Sequence, residues 1–315
     1  LNNEQFDALV SRLARAGVFI PPRALGDYVE TPLQETVNLA EVQALVDARV
    51  AAHDEKMSNS NNELVQVVPV NTQKGTTPAA LGLLAAYAMK YDGGRLCNKY
   101  DFVPMFLTDE TRVTERAATT GIFMFSNYVW NVEINLQLSA VVKAINPANI
   151  TIHGGPSTPS YENDCANFFA NNPHVDVAVR GEGELTFAEM LDVLDLANSH
   201  DLGVLRDIAG LTYRTADGVR RTADRERIAD LDTIPSPYLM GLFDEFGSVG
   251  AGAVIESNRG CPYGCTFCDW GSATLSRVRK FDLERVYKEL EWSARHQIED
   301  ASIADANFGM LERDV

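Results

Sequence analysis

The sequence predicts an α/β protein: a Rossmann-like, doubly wound parallel sheet followed by the start of a β/α partial barrel. Three observations carry this. A strand–loop–helix unit recurs four times between Leu64 and Ala197. Several of the strand-end loops carry Gly, Ser, Thr or Asn, at the end of the sheet where open parallel sheets hold their ligands. After a proline-bearing connector, one more strand–helix–strand unit runs from Gly252 to Asp305, as at the beginning of a β/α barrel.

The elements follow in order. Residues 1–63 read as a polar helical segment, broken at Pro21 and Pro22 and ending in an exposed stretch from Met57 to Glu63. Leu64–Val70 is an apolar run that reads as a buried strand. In the loop that follows, Thr77 suits an N-cap and Pro78 the first helical position, with an Ala/Leu-rich helix over Ala79–Lys90. Gly121–Phe125 is a second strand, leading through Ser126-Asn127-Tyr128-Val129-Trp130-Asn131 into a helix that reaches Ile145. Asn149–His153 is a third, ending in Gly154-Gly155-Pro156-Ser157. Val175–Val179 is a fourth, ending in Gly181-Glu182-Gly183-Glu184 and followed by a helix from Leu185 to Ala197.

Residues 205–225 read as a hairpin, Leu211–Arg214 and Ala216–Val219, turning at Asp217-Gly218. Thr233–Leu239 is extended and proline-bearing, a domain connector. Gly252–Glu256 is a strand, and Ala301–Asp305 another. Between them Phe281–Gln297 is helical, with Leu283, Val286, Leu290 and Ala294 expected on its buried face. The expected divisions are a helical segment over 1–63, a sheet domain over 64–203, a hairpin and connector over 204–248, and the beginning of a barrel over 249–315.

The chain of 315 residues has room for about two domains. An apolar content of 45% suits ordinary cores. Runs of about 18 apolar residues, the length a membrane helix needs, are absent from the sequence. A secretory signal is not expected, and a chain opening on Leu1 is expected to have lost its true start. Net charge is −17 and the isoelectric point about 4.7. That balance disfavours nucleic acid, which needs clustered Lys and Arg. Of five cysteines, three fall within eight residues, a usage suited to a reducing cytoplasm rather than to disulfides.

Those three carry the chemistry. Cys261, Cys265 and Cys268 stand as C-x3-C-x2-C in the loop after the Gly252–Glu256 strand. Three such thiolates can hold three irons of a cubic cluster and leave a fourth open. A structural zinc site normally needs four protein ligands. His296 is the nearest histidine in sequence and sits on a helix, while Cys97 and Cys165 belong to the sheet domain. Thiolates with an open position suit iron–sulfur better.

The strand with Glu256-Ser257-Asn258-Arg259-Gly260-Cys261-Pro262-Tyr263-Gly264-Cys265-Thr266-Phe267-Cys268 resembles the radical S-adenosylmethionine (SAM) superfamily. The resemblance implies a [4Fe-4S] cluster on Cys261, Cys265 and Cys268, with SAM on the open iron and reductive cleavage to a 5′-deoxyadenosyl radical. It puts Phe267 near the adenine. It puts Asp305-Ala306-Asn307-Phe308-Gly309, at the end of the second barrel strand, near the methionine part of SAM, although the commoner Gly-Gly-Glu form is not there. Asp305 and Asn307 therefore read either as SAM contacts or as caps of the following turn.

The sheet domain has a resemblance of its own. Asn71-Thr72-Gln73-Lys74-Gly75-Thr76-Thr77-Pro78, Ser126–Asn131, His153–Pro156 and Gly181–Glu184 come in the order and spacing of the cobalamin-binding domain of B12-dependent radical SAM enzymes, and Ile234–Leu239 is similar to the segment joining the two domains. The resemblance covers residues 64–315. It implies cobalamin contacts at Thr72, Gln73, Thr76, Ser126, Tyr128, Trp130, His153, Gly154, Gly155, Pro156, Gly181, Glu182, Gly183 and Glu184. Backbone N–H groups at the glycines can reach the amides and phosphate of a corrin. Tyr128 or Trp130 is expected to cover the lower face of cobalt; the alternative places Trp130 in the core. The Asp-x-His-x-x-Gly motif that gives cobalt a histidine elsewhere is absent, so His153 is a contact candidate and not a ligand.

The resemblance implies a methyltransferase that uses methylcobalamin and a SAM-derived radical on an unactivated carbon or phosphorus centre. Cyclisation or rearrangement with the same cofactors is the first alternative, and a non-catalytic cofactor-binding fragment the second. The chain alone is expected to bind cobalamin but turn over poorly. A methylthiotransferase would need three further N-terminal cysteines, and only Cys97 and Cys165 precede the triplet. The expected partners are a small-molecule or peptide substrate and an electron-donor protein, in the cytoplasm, with no nucleic acid and no membrane.

Overall fold

The computed structural model describes residues 64–72, 75–104, 110–196, 199–247, 251–266, 268, 276–309 and 312. The readings for residues 1–63, Gln73 and Phe267 lie outside them.

A seven-stranded sheet organises the chain from Val65 to Arg221. Its strands are β1 (Val65–Val70), β2 (Tyr100–Phe102), β3 (Gly121–Ser126), β4 (Ile150–Gly154), β5 (Val177–Val179), β6 (Leu211–Thr215) and β7 (Gly218–Arg221), in the order β2-β1-β3-β4-β5-β6-β7. The first five are parallel; β6 and β7 are antiparallel additions. Alternation sorts the side chains. Val67, Ile122, Met124, Ile150 and Ile152 join the core on one face, and Val68, Val70, Phe123 and Phe125 the core on the other. Full burial of side chains such as Phe123 and Phe125 contributes roughly 1.5–3 kcal/mol each.

The helices are α1 (Ala79–Lys90), α2 (Glu110–Ala117), α3 (Val132–Ile145), α4 (Glu162–Asn171), α5 (Glu184–Val193), α6 (Asp244–Gly247) and α7 (Leu283–Arg295). α1 and α5 pack together on one face, α2 and α3 on the other. From β1 the chain crosses to β2 on one side, then returns to β3 on the other. The switch point therefore lies between the carboxyl ends of β1 and β3, where doubly wound sheets form their crevice.

Among the elements not expected are the 3-10 segment Tyr91–Asn98, β2, α2 and α4. β2 is three residues, and α2 and α4 carry little apolar pattern, which is why the sequence hides them. Two local expectations are corrected. Thr77 does not cap α1. The N-cap is Pro78, with no side-chain cap bond, and Thr77 Oγ1 instead lies 2.6 Å from the Tyr238 hydroxyl and accepts from Val254 N at 3.1 Å. The hairpin turns one residue earlier, with Thr215 opposite Gly218, and it extends the sheet through β5 rather than standing in a connector.

The second unit begins with β8 (Ala253–Ile255). It continues through β9 (Asn258–Arg259), β10 (Arg279–Lys280) and α7 to β11 (Ala301–Ile303). β8 and β11 pair in parallel, as expected for consecutive barrel strands. β9 and β10 form a short antiparallel ladder across the root of the cysteine loop. α7 buries Val286, Glu289, Trp292 and Ser293, while Leu290 is 38% exposed and Ala294 is also exposed. The expected face is thus rotated, because Trp292 and not Leu290 packs on the connector aromatic Tyr238, ring centroids 4.9 Å apart.

The two units share one core. Phe243, Phe246, Ala253, Ile255, Phe281 and Trp292 belong to the same buried cluster as Val67 and Ile152. The β1–α1 loop also pairs with the second unit: Gly252 N donates to Gly75 O at 2.7 Å and Thr77 N to Gly252 O at 2.9 Å.

Candidate cofactor-binding site

A small cleft opens at the switch point. Val70, Asn71, Thr72, Ser126, Tyr128 and Asn131 line it, with the first turn of α1 as its far wall. The sequence builds it with asparagines. Asn127, Asn131 and Asn135 recur at intervals of four around the start of α3, a spacing that stacks them on one side. Asn131 Nδ2 donates to Thr72 Oγ1 at 3.1 Å, and Thr72 Oγ1 donates to Asn135 Oδ1 at 2.7 Å. Asn135 Nδ2 donates to Asn127 Oδ1 at 2.8 Å. This network ties the β1 loop to the β3 loop. The sequence reading missed it; the asparagines repeating every four residues across the start of α3 were the available signal.

Tyr128 and Trp130 stack with centroids 4.8 Å apart. Trp130 is 65% exposed, so the alternative that placed it in the core is corrected. Burial raises the pKa of Tyr128; the Ser126 hydroxyl lowers it and the Glu256 charge raises it.

His153 lies under the loops, not among them. It is fully buried, stacks on Phe125 at 4.7 Å, accepts from Asn127 Nδ2 at 3.1 Å and donates through Nε2 to Ser139 Oγ at 2.9 Å. Burial, aided by His174, pushes its pKa down to about 3, so the ring is neutral. Its expected role as a ligand contact gives way to that of a buried support. Gly154 is half-buried, and Gly155 and Pro156 are exposed. Gly155 has φ +87°, and a Cβ there would stand 2.7 Å from Asn127 O, so the turn admits only glycine.

Thr76 forms a parallel bridge to Gly252. Gly181 is exposed and Gly183 half-buried, their backbone at the carboxyl end of β5. Glu182 and Glu184, expected at a corrin, point into ion pairs instead. Glu184 Oε1 is 2.6 Å from Arg259 Nη2, and Glu182 pairs with Arg279 and accepts from Ile228 N at 2.8 Å. Burial pushes the Glu182 carboxyl up, but Arg279, the Ile228 N–H and Arg259 outweigh it, and the net shift is downward.

In the second unit Cys261 is buried, Cys268 half-buried and Cys265 exposed. Cys261 is held at the neck of its loop: Ser276 N donates to its carbonyl at 2.8 Å, and its own N–H donates to Ser276 Oγ at 3.2 Å. Cys268 N donates to Cys265 O at 3.2 Å. Among the described residues, no three His, Cys, Asp or Glu side chains converge on a single metal ion. Three thiols on one loop make a soft donor set that fits iron–sulfur.

Asp305 accepts from Ser257 N at 2.7 Å, from Ser257 Oγ at 2.5 Å, from Asn258 N at 3.1 Å and from Asn258 Nδ2 at 2.7 Å. It thereby fastens the exit of β11 to the exit of β8. Asn307 Nδ2 donates to Cys261 Sγ at 2.8 Å.

No family model matches the chain. It is 39% identical, over 76% of its length, to 2-(S-pantetheinyl)-carbapenam-3-carboxylate methyltransferase of Streptantibioticus cattleyicolor. It is 38% identical, over 76% of its length, to the cobalamin-dependent radical SAM methyltransferase TokK of Streptomyces tokunonensis. In each case the match covers 35% of the relative, so the chain spans about a third of the length of these curated relatives. Among solved structures, the cobalamin-dependent SAM radical enzyme OxsB, with aqua-cobalamin and SAM bound, superposes with a TM-score of 0.59 at 20% identity, covering 80% of this chain and 35% of that one. This last likeness is one of fold.

Proposed function

We propose, for a chain that belongs to the cobalamin-dependent radical SAM family, that the protein is a methyltransferase holding a corrin and an iron–sulfur cluster on neighbouring loops. One observation carries the reading. The loop flanking the switch-point cleft pairs through Gly75 and Thr77 with Gly252, and the strand beginning there leads directly to Cys261. Cleft and cysteine loop are thus fixed relative to each other by backbone.

When bound, the cluster and SAM supply one-electron chemistry, and cobalamin carries the methyl group. Cys261, Cys265 and Cys268 would hold the cluster, with Phe267 beside SAM. Thr72, Gln73, Ser126, Tyr128 and Trp130, with the backbone of Gly154, Gly155, Gly181 and Gly183, would hold the corrin. The stacked Tyr128–Trp130 pair would shield one corrin face from water. Asn307 would donate to the Cys261 thiolate, and Asp305 would fix the loop. The substrate is a small molecule or a peptide, the electron comes from a donor protein, and the setting is the cytoplasm. Among the described residues, no helix is long and apolar enough to cross a membrane.

Anaerobic reconstitution of the whole protein with iron, sulfide and hydroxocobalamin tests the cofactors. A corrin band together with an iron–sulfur shoulder is expected; absence of the corrin band would refute the cobalamin half. Incubation with methyl-labelled SAM and candidate substrates tests the reaction, and turnover that leaves the product unlabelled would refute methyl transfer.

A further inference from the structure

We propose that Glu182 and Glu184 are positioning residues for the cysteine loop, acting through Arg279 and Arg259, and that this latch couples the occupancy of the corrin site to the geometry of the cluster. The coupling rests on the reading of the two sites given above; the latch rests on the ion pairs themselves.

Carboxylates at the start of a helix are ordinarily solvated, stabilised there by the helix dipole. These two are not: their side chains are 16% and 5% exposed. Each meets an arginine of the second unit. Arg259 Nη2 reaches Glu184, while Arg259 Nε donates to both oxygens of Glu256 at 3.0 Å. Arg279 Nη1 donates to Glu182 Oε2 at 2.9 Å, and Nη2 reaches the other oxygen. Burial lowers the pKa of Arg259, but Glu184 and Glu256 outweigh it, so the guanidinium stays charged.

The placement of the arginines matters more than the pairing. Arg259 and Arg279 are register partners in the β9–β10 ladder. They stand at the two roots of the loop that carries all three cysteines. The neck is closed above them: Gly260 has φ +105°, and a Cβ there would fall 2.5 Å from Arg277 O. Both roots are therefore anchored to one stretch, residues 182–184, in the turn from β5 into α5. An arginine fork fixes direction as well as distance, and removing one partner of a buried pair leaves an uncompensated charge. The loop cannot turn against the sheet without breaking these pairs. Since Gly181 and Gly183 alternate with the two glutamates, a ligand on their backbone shifts the same four residues. Binding at one site must then change the other reciprocally.

Hydrogen–deuterium exchange on the whole protein, with hydroxocobalamin as the probe, tests this alongside the electron paramagnetic resonance of the reduced cluster. Glu184→Gln is expected to speed exchange at residues 256–266 about tenfold in corrin-free protein, a local opening, and to shift the resonance. By the same reciprocity it is expected to change hydroxocobalamin affinity about fivefold, the lower end of site-to-site coupling. Arg259→Lys should give a smaller effect of the same kind. Glu182→Gln, which frees the other root from its partner Arg279, should speed exchange over the same residues. If Glu184→Gln weakens hydroxocobalamin binding tenfold or more while loop exchange stays unchanged, the glutamate is a corrin contact and the proposal is wrong. If Glu184→Gln also loses protection in β3 and β4, Glu182→Gln decides: faster loop exchange with β3 and β4 still protected supports the latch, and unchanged loop exchange overturns it. A wild-type protein without a corrin band refutes the cofactor reading and, with it, the coupling. The corrin-free exchange still tests the latch by itself.

Discussion

Asn307 Nδ2 donates to the Sγ of Cys261 across 2.8 Å, joining the turn after one barrel strand to the loop after its neighbour. An N–H directed at a cluster thiolate spreads its charge and favours the reduced cluster. Asn307→Ala is expected to lower the reduction potential. A redox titration followed by electron paramagnetic resonance reads this directly, and an unchanged midpoint would remove the assigned role.

Asp305 has four donors on its carboxylate, all from Ser257 and Asn258. Asp305→Ala strands those donors, at about 1–3 kcal/mol for each buried group left unsatisfied. Iron and sulfide per chain should fall after reconstitution. Full iron content with weakened SAM binding would instead make Asp305 a SAM contact.

His153 is neutral in the fold because burial holds its pKa at about 3, against about 6.5 when unfolded. Between those values the unfolded chain binds a proton that the folded chain refuses, so stability rises with pH and is lost as pH falls below about 6.5. Buried His174, lowered to about 4 by burial and by Arg214 and Lys143, acts in the same direction. Urea unfolding of His153→Gln from pH 6.5 to pH 4 should show a slope shallower by about 1.4 kcal/mol per pH unit. An unchanged slope would show that His153 is protonated in the fold.

Gly155→Ala forces a side chain into a left-handed turn 2.7 Å from a carbonyl. A loss of roughly 1–3 kcal/mol in thermal or urea unfolding is expected, with weaker hydroxocobalamin binding in the whole protein. Wild-type stability would mean that the Asn127 loop can move aside.

β1, β3, β4 and β5 were legible because each follows an apolar run and ends in a turn-forming loop. The cysteine loop was legible from spacing alone. The roles of Glu182, Glu184 and Asp305 were not, since an acidic residue at a strand end looks the same whether it faces a ligand or an arginine many residues away. Pairings such as Glu184 with Arg259 leave no local trace. Thr77 misled for the same reason. Ahead of a helix it has the form of a cap, but its hydroxyl bonds Tyr238 and Val254. The face of α7 was misjudged because leucine spacing was weighted above Trp292, whose partner Tyr238 is remote in sequence.

The hydroxyl of Tyr238 donates to Val254 O at 2.7 Å and accepts from Val254 N at 3.0 Å, with Thr77 bonded to both residues. This knot has a consequence for protein engineering. The sheet and the barrel start are not interchangeable modules, although each is a familiar shape. A chimaera that exchanges the sheet for a relative's must bring residues 75–77, Tyr238 and the opening of β8 from one parent. Otherwise the graft has a hydroxyl without its mate at the boundary where the two halves have to agree.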